Sequence, residues 1–247
     1  MKKRSTTAPS HRSVIWVTGA SRGIGREIAA AFASLGCDVA LSSREGKALR
    51  KAVKSIRELG GRAYSFPCDV KDERGVFRVA QAIASALGPV DVLVNNAGIT
   101  AFKPFLKTPV GEFRDIIATN LLGPVLCTKA VLPSMVKRKR GGWIFNILSN
   151  AALRTFEDST AYTAAKAGLL ALGKVLREEL RGDSIRVVGV LPGPVETAMW
   201  SRRERLKFSS RMMKPRSVAK AVLAVYRMPE DTVVDQIVLR PMKGDID

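Results

Sequence analysis

Residues 14–25 read Val-Ile-Trp-Val-Thr-Gly-Ala-Ser-Arg-Gly-Ile-Gly, and a helical pattern over residues 26–35 follows them directly. The apolar run predicts a short buried strand, and the glycines after it predict a tight turn into the helix. In this context glycines bring the phosphates of a nucleotide close to the backbone at a helix N-terminus. The spacing is G-x-x-x-G-x-G, and a tight turn without a ligand is the alternative interpretation.

Apolar runs and helical patterns alternate along the rest of the chain. Near-continuous apolar strands between helices are typical of a parallel sheet that is covered on both faces. We therefore predict an α/β fold: one Rossmann-like, doubly wound sheet of about seven parallel strands with helices on both faces. The predicted strands after the first cover residues 37–44, 63–66, 90–94, 143–148, 185–191 and 236–239, and the predicted helices cover 45–59, 73–87, 110–139 with a bend at Gly123-Pro124, 161–180, and parts of 198–226.

The end of the second strand carries a clue to the kind of nucleotide. An acidic residue at this place binds a ribose 2′-hydroxyl, whereas an arginine accommodates a 2′-phosphate. The chain has Ser43 and Arg44 there, with Arg22 in the glycine turn as a second cation. These residues favour NADP(H) over NAD(H), although surface arginines are common in so basic a protein.

Tyr162 and Lys166 lie four residues apart in a run dominated by Ala, Leu and Lys. That spacing places both side chains on one face of a helix. A nearby ammonium favours the phenolate form of tyrosine, so the pair is suited to exchange a proton with an alcohol or carbonyl oxygen. An exposed tyrosine beside an exposed lysine is the simpler alternative, because short motifs often occur by chance.

The composition limits the setting and the partners. The chain has 247 residues, 46% of them hydrophobic, and a formal net charge of +19. The charge favours anionic partners, but nucleic acid contact is not favoured. No apolar run long enough for a membrane span is expected. Residues 1–13 are expected to form a flexible basic leader before one domain over 14–247. We expect a cytoplasmic location, and an organellar transit peptide is the alternative, because the leader has no acidic residue. Cys37, Cys68 and Cys127 lack metal-binding or redox spacing, so we expect reduced, packed thiols and no metal site.

Together, several motifs resemble those of the short-chain dehydrogenase/reductase family, and the resemblance covers residues 14–241. Thr18 to Gly25 resembles its cofactor turn, Asn95-Asn96-Ala97-Gly98 its sheet motif, and Tyr162-Thr163-Ala164-Ala165-Lys166 its active-site motif. Ser149 and Asn120 match the catalytic serine and asparagine of the family. Ala165 is a small departure, because many relatives have serine before the lysine.

The resemblance implies an NADP(H)-dependent oxidoreductase that moves a hydride between the nicotinamide and a carbonyl or secondary alcohol. It implies that Tyr162 is the acid/base, Lys166 lowers its pKa and holds the nicotinamide ribose, Ser149 orients the carbonyl, and Asn120 holds a water. It also implies a homodimer or homotetramer built on the helices that contain Asn120 and Tyr162. The implied cofactor-binding residues are Gly19, Ser21, Arg22, Gly23, Ile24, Gly25, Ser43, Arg44, Asp69, Val70, Asn96, Ala97, Gly98, Tyr162, Lys166, Pro192, Gly193, Val195 and Thr197.

The sequence leaves the substrate open. Candidate pocket walls are Asn150, Ala151, Leu153, Phe156, Met199, Trp200, Phe208, Met212 and Met213. Residues 200–220 carry eight basic side chains and one acidic side chain, a net charge of +7. We expect these residues to form either a solvated helix face or an anion-recognising rim for a carrier-bound acyl group. The second possibility predicts a 3-oxoacyl-carrier-protein reductase, but the ending 235–241 lacks the Gly-Gly pair usual in those enzymes. A non-catalytic NADP- or nucleic-acid-binding module is the alternative of another class.

Overall fold

The structure is a computed structural model that describes residues 12–244 and 246. The strands are β1 (Val14–Thr18), β2 (Asp38–Ser42), β3 (Arg62–Ser65), β4 (Val92–Asn95), β5 (Gly142–Ile147), β6 (Ile185–Pro192) and β7 (Gln236–Leu239). The α-helices are α1 (Gly23–Ala33), α2 (Gly46–Glu58), α3 (Glu73–Leu87), α4 (Val110–Ile117), α5 (Gly123–Arg138), α6 (Thr160–Leu180), α7 (Arg202–Phe208) and α8 (Pro215–Tyr226). Most of these bounds lie within about two residues of the predicted ones, except the start of α1, which comes three residues earlier.

The strands form one seven-stranded sheet in the order β3-β2-β1-β4-β5-β6-β7, and every neighbouring pair is parallel. Helices α1, α2 and α8 cover one face, where Phe32 and Leu49 are fully buried. Helices α3, α5 and α6 cover the other, where Ile83 and Met135 are fully buried. The predicted α/β fold with helices on both faces is confirmed. The strand order reverses between β1 and β4, and ligands of such sheets bind at this point, beyond the carboxyl ends of the strands.

The helix predicted over 110–139 is divided by a single wide π-type turn, Ala118–Leu122, between α4 and α5. Pro124 has no N–H to donate to the carbonyl of Asn120, so the regular hydrogen-bond pattern cannot continue through this point. Asn120 lies in the middle of this turn, and its side chain is fully buried. Such turns inside helices often occur at functional sites.

By length and composition alone, the helical stretch Val110–Arg138 is able to cross a membrane, which corrects the expectation that no apolar run reaches this length. Its α5 part packs against α3 and the sheet, and Cys127, Val131 and Met135 are buried there. We therefore describe it as a core helix of the domain.

Two segments outside the strands and the central helices remain: residues 198–226 and the residues just before β1. Residues 198–226 form α7 and α8, and Ser201 caps α7 in a reciprocal pair with Glu204. The predicted leader 1–13 lies outside the described residues except for Arg12 and Ser13. The carbonyl of Ser13 accepts a hydrogen bond from Asp38 N at 3.0 Å, so the sheet contacts begin one residue before β1.

Candidate active site

The glycine turn after β1 is packed tightly against the loop after β4. Gly19 has a φ of 63°, and a Cβ there would lie 2.7 Å from the Cα of Ala97. The side-chain amide of Asn96 donates to the carbonyls of Thr18 and Gly19, at 2.9 and 3.1 Å. A Cβ on Gly25 would lie 2.4 Å from that same amide nitrogen. The glycines are therefore required for the turn to pack on the loop.

The end of β2 presents polar groups to the same cleft. The Ser43 hydroxyl is buried and has no hydrogen-bond partner in the described part of the chain. Arg44 follows it at the edge of the cleft. Arg22 approaches Glu45 to 3.2 Å, and both side chains are more than half exposed. Sequence reasoning missed Glu45, the acidic residue directly after the predicted arginine.

Tyr162, Ser149 and Lys166 come together at the end of β5. Tyr162 and Lys166 lie on one face of α6, and both are buried. The Tyr162 hydroxyl is hydrogen-bonded to Ser149, two residues after β5. The Lys166 ammonium donates to the carbonyl of Ile147 at 2.7 Å and lies 5.7 Å from the centre of the Tyr162 ring.

Burial controls the protonation of this pair. It raises the pKa of Tyr162 above its ordinary value, and the hydrogen bond with Ser149 lowers that pKa only in part. Burial also lowers the pKa of Lys166 from 10.5 to about 8. Loss of hydration is the larger effect on the pKa of Tyr162, and the expectation that Lys166 lowers this pKa stays a prediction. At neutral pH Tyr162 is a protonated phenol and Lys166 is mainly an ammonium.

Asn120 lies behind these three residues. Its side chain accepts from Ile99 N at 2.8 Å and donates to Ile99 O at 2.7 Å. Both atoms of the amide are thus used to fix the loop after β4. The water-holding role expected for Asn120 is not tested by these contacts, which give the side chain a positioning role.

These residues surround one cleft of about 490 Å³ along the carboxyl ends of the strands. Two predicted site residues do not line it: Gly25, which packs against Asn96, and Asn120, which holds Ile99. The predicted site residues that do line it are Gly19, Ser21, Arg22, Gly23, Ile24, Ser43, Arg44, Asp69, Val70, Asn96, Ala97, Gly98, Ser149, Tyr162, Lys166, Pro192, Gly193, Val195 and Thr197.

The predicted pocket walls are divided by the structure. The ones that line the cleft are Asn150, Ala151, Phe156, Met199 and Trp200, whereas Leu153, Phe208, Met212 and Met213 do not. Met212 is buried, and Met213 pairs with Val195 in an isolated parallel bridge. The wall residues that sequence reasoning missed include Thr100, Phe102, Thr119 and Ile246. Thr100 and Phe102 follow the Asn-Asn-Ala-Gly motif within four residues, so proximity to that motif was an available signal.

The basic side chains of residues 200–220 lie outside the cleft, since none of them belongs to its lining. Lys214 is paired with Glu196, and Lys207 lies over the ring of Phe208. The expected anion-recognising rim therefore does not form part of the pocket wall.

The three cysteines are free and buried, as predicted. Burial raises the pKa of Cys37 and of Cys68 to about 11, so their thiols stay protonated at neutral pH.

Comparison with known proteins gives consistent matches. Residues 13–207 match the short chain dehydrogenase family. Sepiapterin reductase of Chlorobaculum tepidum is 34% identical over 242 residues, which cover 95% of this chain and 98% of the relative. Ketoacyl reductase HetN of a Nostoc species is 34% identical over 226 residues, 90% of this chain and 78% of the relative.

Solved structures agree with this result. A metagenomic short-chain oxidoreductase in complex with NADP has a TM-score of 0.82 and 35% identity, over 93% of this chain and 97% of that one. A variant of actinorhodin polyketide ketoreductase with NADPH has a TM-score of 0.87 and 30% identity, over 93% of this chain and 96% of that one.

Proposed function

Because this chain belongs to the short-chain dehydrogenase/reductase family of oxidoreductases, we propose that it is an NADP(H)-dependent carbonyl reductase with Tyr162 as the proton donor. Its substrate is a small molecule with a ketone or aldehyde carbonyl, which the enzyme converts to an alcohol. The observation that carries the proposal is the hydrogen bond between the Tyr162 hydroxyl and Ser149 beside Lys166 in the cleft.

The cleft fits a dinucleotide phosphate. The glycine turn leaves backbone close to the cleft at the start of α1, the arrangement that accepts phosphates at a helix N-terminus. The buried hydroxyl of Ser43, after β2, lines the cleft without a partner in the described residues, so it is available to a polar ligand. A buried hydroxyl without a partner is unfavourable, and a bound ligand removes that cost.

The residues after β2 favour NADP(H) over NAD(H). Ser43 and Arg44 offer a hydroxyl and a guanidinium where an acidic residue would select the 2′-hydroxyl. Glu45 is paired with Arg22, so its charge is partly compensated. Two similar structures were solved with NADP or NADPH, in line with this preference.

The chain's own residues supply the proton and the geometry. NADPH, when bound, supplies the hydride that reduces the carbonyl carbon. Tyr162 is protonated at neutral pH, so it donates its proton to the substrate oxygen, and the phenolate left behind takes up a proton from solvent. Ser149 donates a hydrogen bond that orients the same oxygen. The Lys166 ammonium stabilises the phenolate while it exists.

A panel of ketones, aldehydes, acyl thioesters and sepiapterin, followed by the absorbance of NADPH, tests the proposal. We expect NADPH oxidation with at least one carbonyl class, and loss of that activity in the Y162F variant. Unchanged turnover in Y162F would refute the role of Tyr162. Inactivity of the wild-type enzyme with every member would refute the reductase assignment.

A second candidate is the reduction of a 3-oxoacyl thioester on a carrier. Two relatives by name reduce ketoacyl or polyketide substrates, and the exposed basic residues of α7, among them Arg202 and Arg203, follow the cleft wall directly. Such residues suit an acidic carrier outside the pocket. Comparison of acetoacetyl thioesters with free ketones separates the candidates, since a carrier-dependent reductase prefers the thioesters.

Assembly and location are further parts of the proposal. We expect a homodimer or homotetramer that uses the long helices α5 and α6 and acts in the cytoplasm. Leu122, before α5, and Val175 on α6 are half exposed, which is consistent with a helix face covered by a second copy. Light scattering of the purified protein tests this, and a monomer would contradict it.

A further inference from the structure

Most of the charged residues that line the cleft lie at one end. Its charged lining residues in the described chain are Arg22, Arg44, Glu45, Asp69 and Lys166. The first four follow β1, β2 and β3, which lie together on one side of the sheet. Lys166 is the single charged lining residue on the other side, and its ammonium is bonded to Ile147. In a protein with a net charge of +19, the described lining of the substrate end therefore has no charged side chain other than Lys166, and the exposed Arg154 lies outside that lining, over the ring of Phe156.

Aromatic side chains occupy that end instead. Phe102, after β4, and Trp200, after β6, stack with ring centroids 6.5 Å apart and an interplanar angle of 28°. Strand β5 lies between β4 and β6, so the two rings meet across the strand that leads to Ser149. Phe102 is 55% exposed and Met199, beside Trp200, is 47% exposed, so apolar surface faces the open cleft.

The polar groups at this end are neutral. The hydroxyls of Thr100 and Thr119 line the cleft without a partner in the described residues. Moving a carboxylate or phosphate into such a site costs free energy unless a cation pairs with it. At this end, the described lining has no cation except Lys166 that could pair with such an anion.

On the basis of the proposed reductase function, we propose that the substrate is an uncharged ketone bearing a flat aromatic group, and that Phe102 and Trp200 select that group. A carbonyl that reaches Tyr162 and Ser149 extends past β5 toward the two rings. Aromatic pairs gain free energy beyond the burial of their area, so a planar ring binds there better than a saturated ring of equal size. A charge next to the carbonyl is rejected.

Four probes test these two features separately. Acetophenone and 2-acetylnaphthalene are neutral aryl ketones, cyclohexyl methyl ketone is the saturated partner of acetophenone, and benzoylformate adds a carboxylate beside the carbonyl. We expect kcat/KM for acetophenone to exceed those for benzoylformate and cyclohexyl methyl ketone by about tenfold or more. Equal values, or a preference for benzoylformate, would overturn the inference.

The variants F102A and W200A assign the selection to the two rings. We expect each to raise KM for 2-acetylnaphthalene by about tenfold, with a smaller change for cyclohexyl methyl ketone. F105A and L206A are matched controls, because Phe105 and Leu206 are exposed and are not part of the cleft lining. Control variants that change KM as much as F102A and W200A would refute the role of the pair.

Equilibrium binding distinguishes this inference from the proposed function. Calorimetry with 1-(2-naphthyl)ethanol and with mandelate needs no turnover. Binding of the neutral naphthyl alcohol to an inactive protein, lost in W200A, supports the apolar site while the reductase proposal fails. Tighter binding of mandelate would overturn the inference whether or not the protein is active.

Discussion

Lys166 on α6 donates a hydrogen bond of 2.7 Å to the carbonyl of Ile147, the last residue of β5. This contact joins the helix to the end of the strand that leads to Ser149. Tyr162 lies about one helical turn before Lys166, so the same contact also positions the Tyr162 side chain relative to Ser149. The position of Tyr162, the proposed proton donor, thus depends on a bond between a buried ammonium and a strand end.

Replacing Tyr162 with phenylalanine removes the proposed proton donor and keeps the ring. Since positioned proton transfer contributes about a hundred- to ten-thousand-fold to a rate, we expect kcat to fall within that range. Binding of NADPH, measured by fluorescence titration, should change little. The Y226F variant is the control, because the Tyr226 hydroxyl contacts Ser13 and lies outside the cleft lining. A kcat of Y162F near the wild-type value would contradict the proposal.

The strands, the glycine turn after β1 and the Tyr162–Lys166 motif were predictable because each is local in the sequence. Apolar runs such as 14–17 indicate a buried strand by themselves. The glycine spacing that begins at Gly19 and the four-residue spacing of Tyr162 and Lys166 are also recognised from a few neighbouring residues. The structure brings both motifs to the same cleft. Local pattern was therefore enough for the sheet and for most of the lining.

The remaining features depend on contacts between distant segments. The stacking of Phe102 on Trp200 joins residues 98 positions apart in the numbering, which no spacing rule reveals. The raised pKa of Tyr162 follows from burial, and burial is a property of the folded chain. The side-chain role of Asn120 depends in the same way on Ile99, which belongs to another loop.

Removing the guanidinium of Arg44 should weaken selection of NADPH. Hydrogen bonds to a charged group contribute about 1.5–3 kcal/mol, so we expect kcat/KM with NADPH to fall about 10- to 150-fold in R44A. The value with NADH should change by less than about threefold, because NADH has no 2′-phosphate. R50A on α2 is the control, since Arg50 is exposed and is not part of the cleft lining. An equal loss with both cofactors would argue against a 2′-phosphate contact.

Two glycine-to-alanine variants in helices should have opposite effects on stability. In G25A the new Cβ would lie 2.4 Å from the amide nitrogen of Asn96, so we expect a loss of about 1–3 kcal/mol in the free energy of unfolding. In G111A no atom lies within 4 Å of the new Cβ, and alanine favours a helix, so we expect a gain of up to about 1 kcal/mol. Urea denaturation measures both. Equal stability of G25A and the wild type would show that the turn tolerates a shift of Asn96.

The pH dependence of reduction should reflect Lys166. Burial lowers the pKa of this amine from 10.5 to about 8, so the ammonium predominates below about pH 8 and is lost above it. In the proposed mechanism the ammonium stabilises the phenolate that forms when Tyr162 gives up its proton, so we expect kcat/KM to fall as the pH rises through about 8, approaching tenfold per unit.

The arginine variant K166R tests the assignment of that fall. A guanidinium stays protonated up to about pH 12, so the fall should move to higher pH in K166R. K174R is the matched control, because Lys174 lies on the same helix and is exposed. If K166R is inactive, the pH dependence of NADPH binding gives a second measurement of the same charge. An unchanged profile in K166R, or a rate that increases through pH 8, would assign the titration to another group.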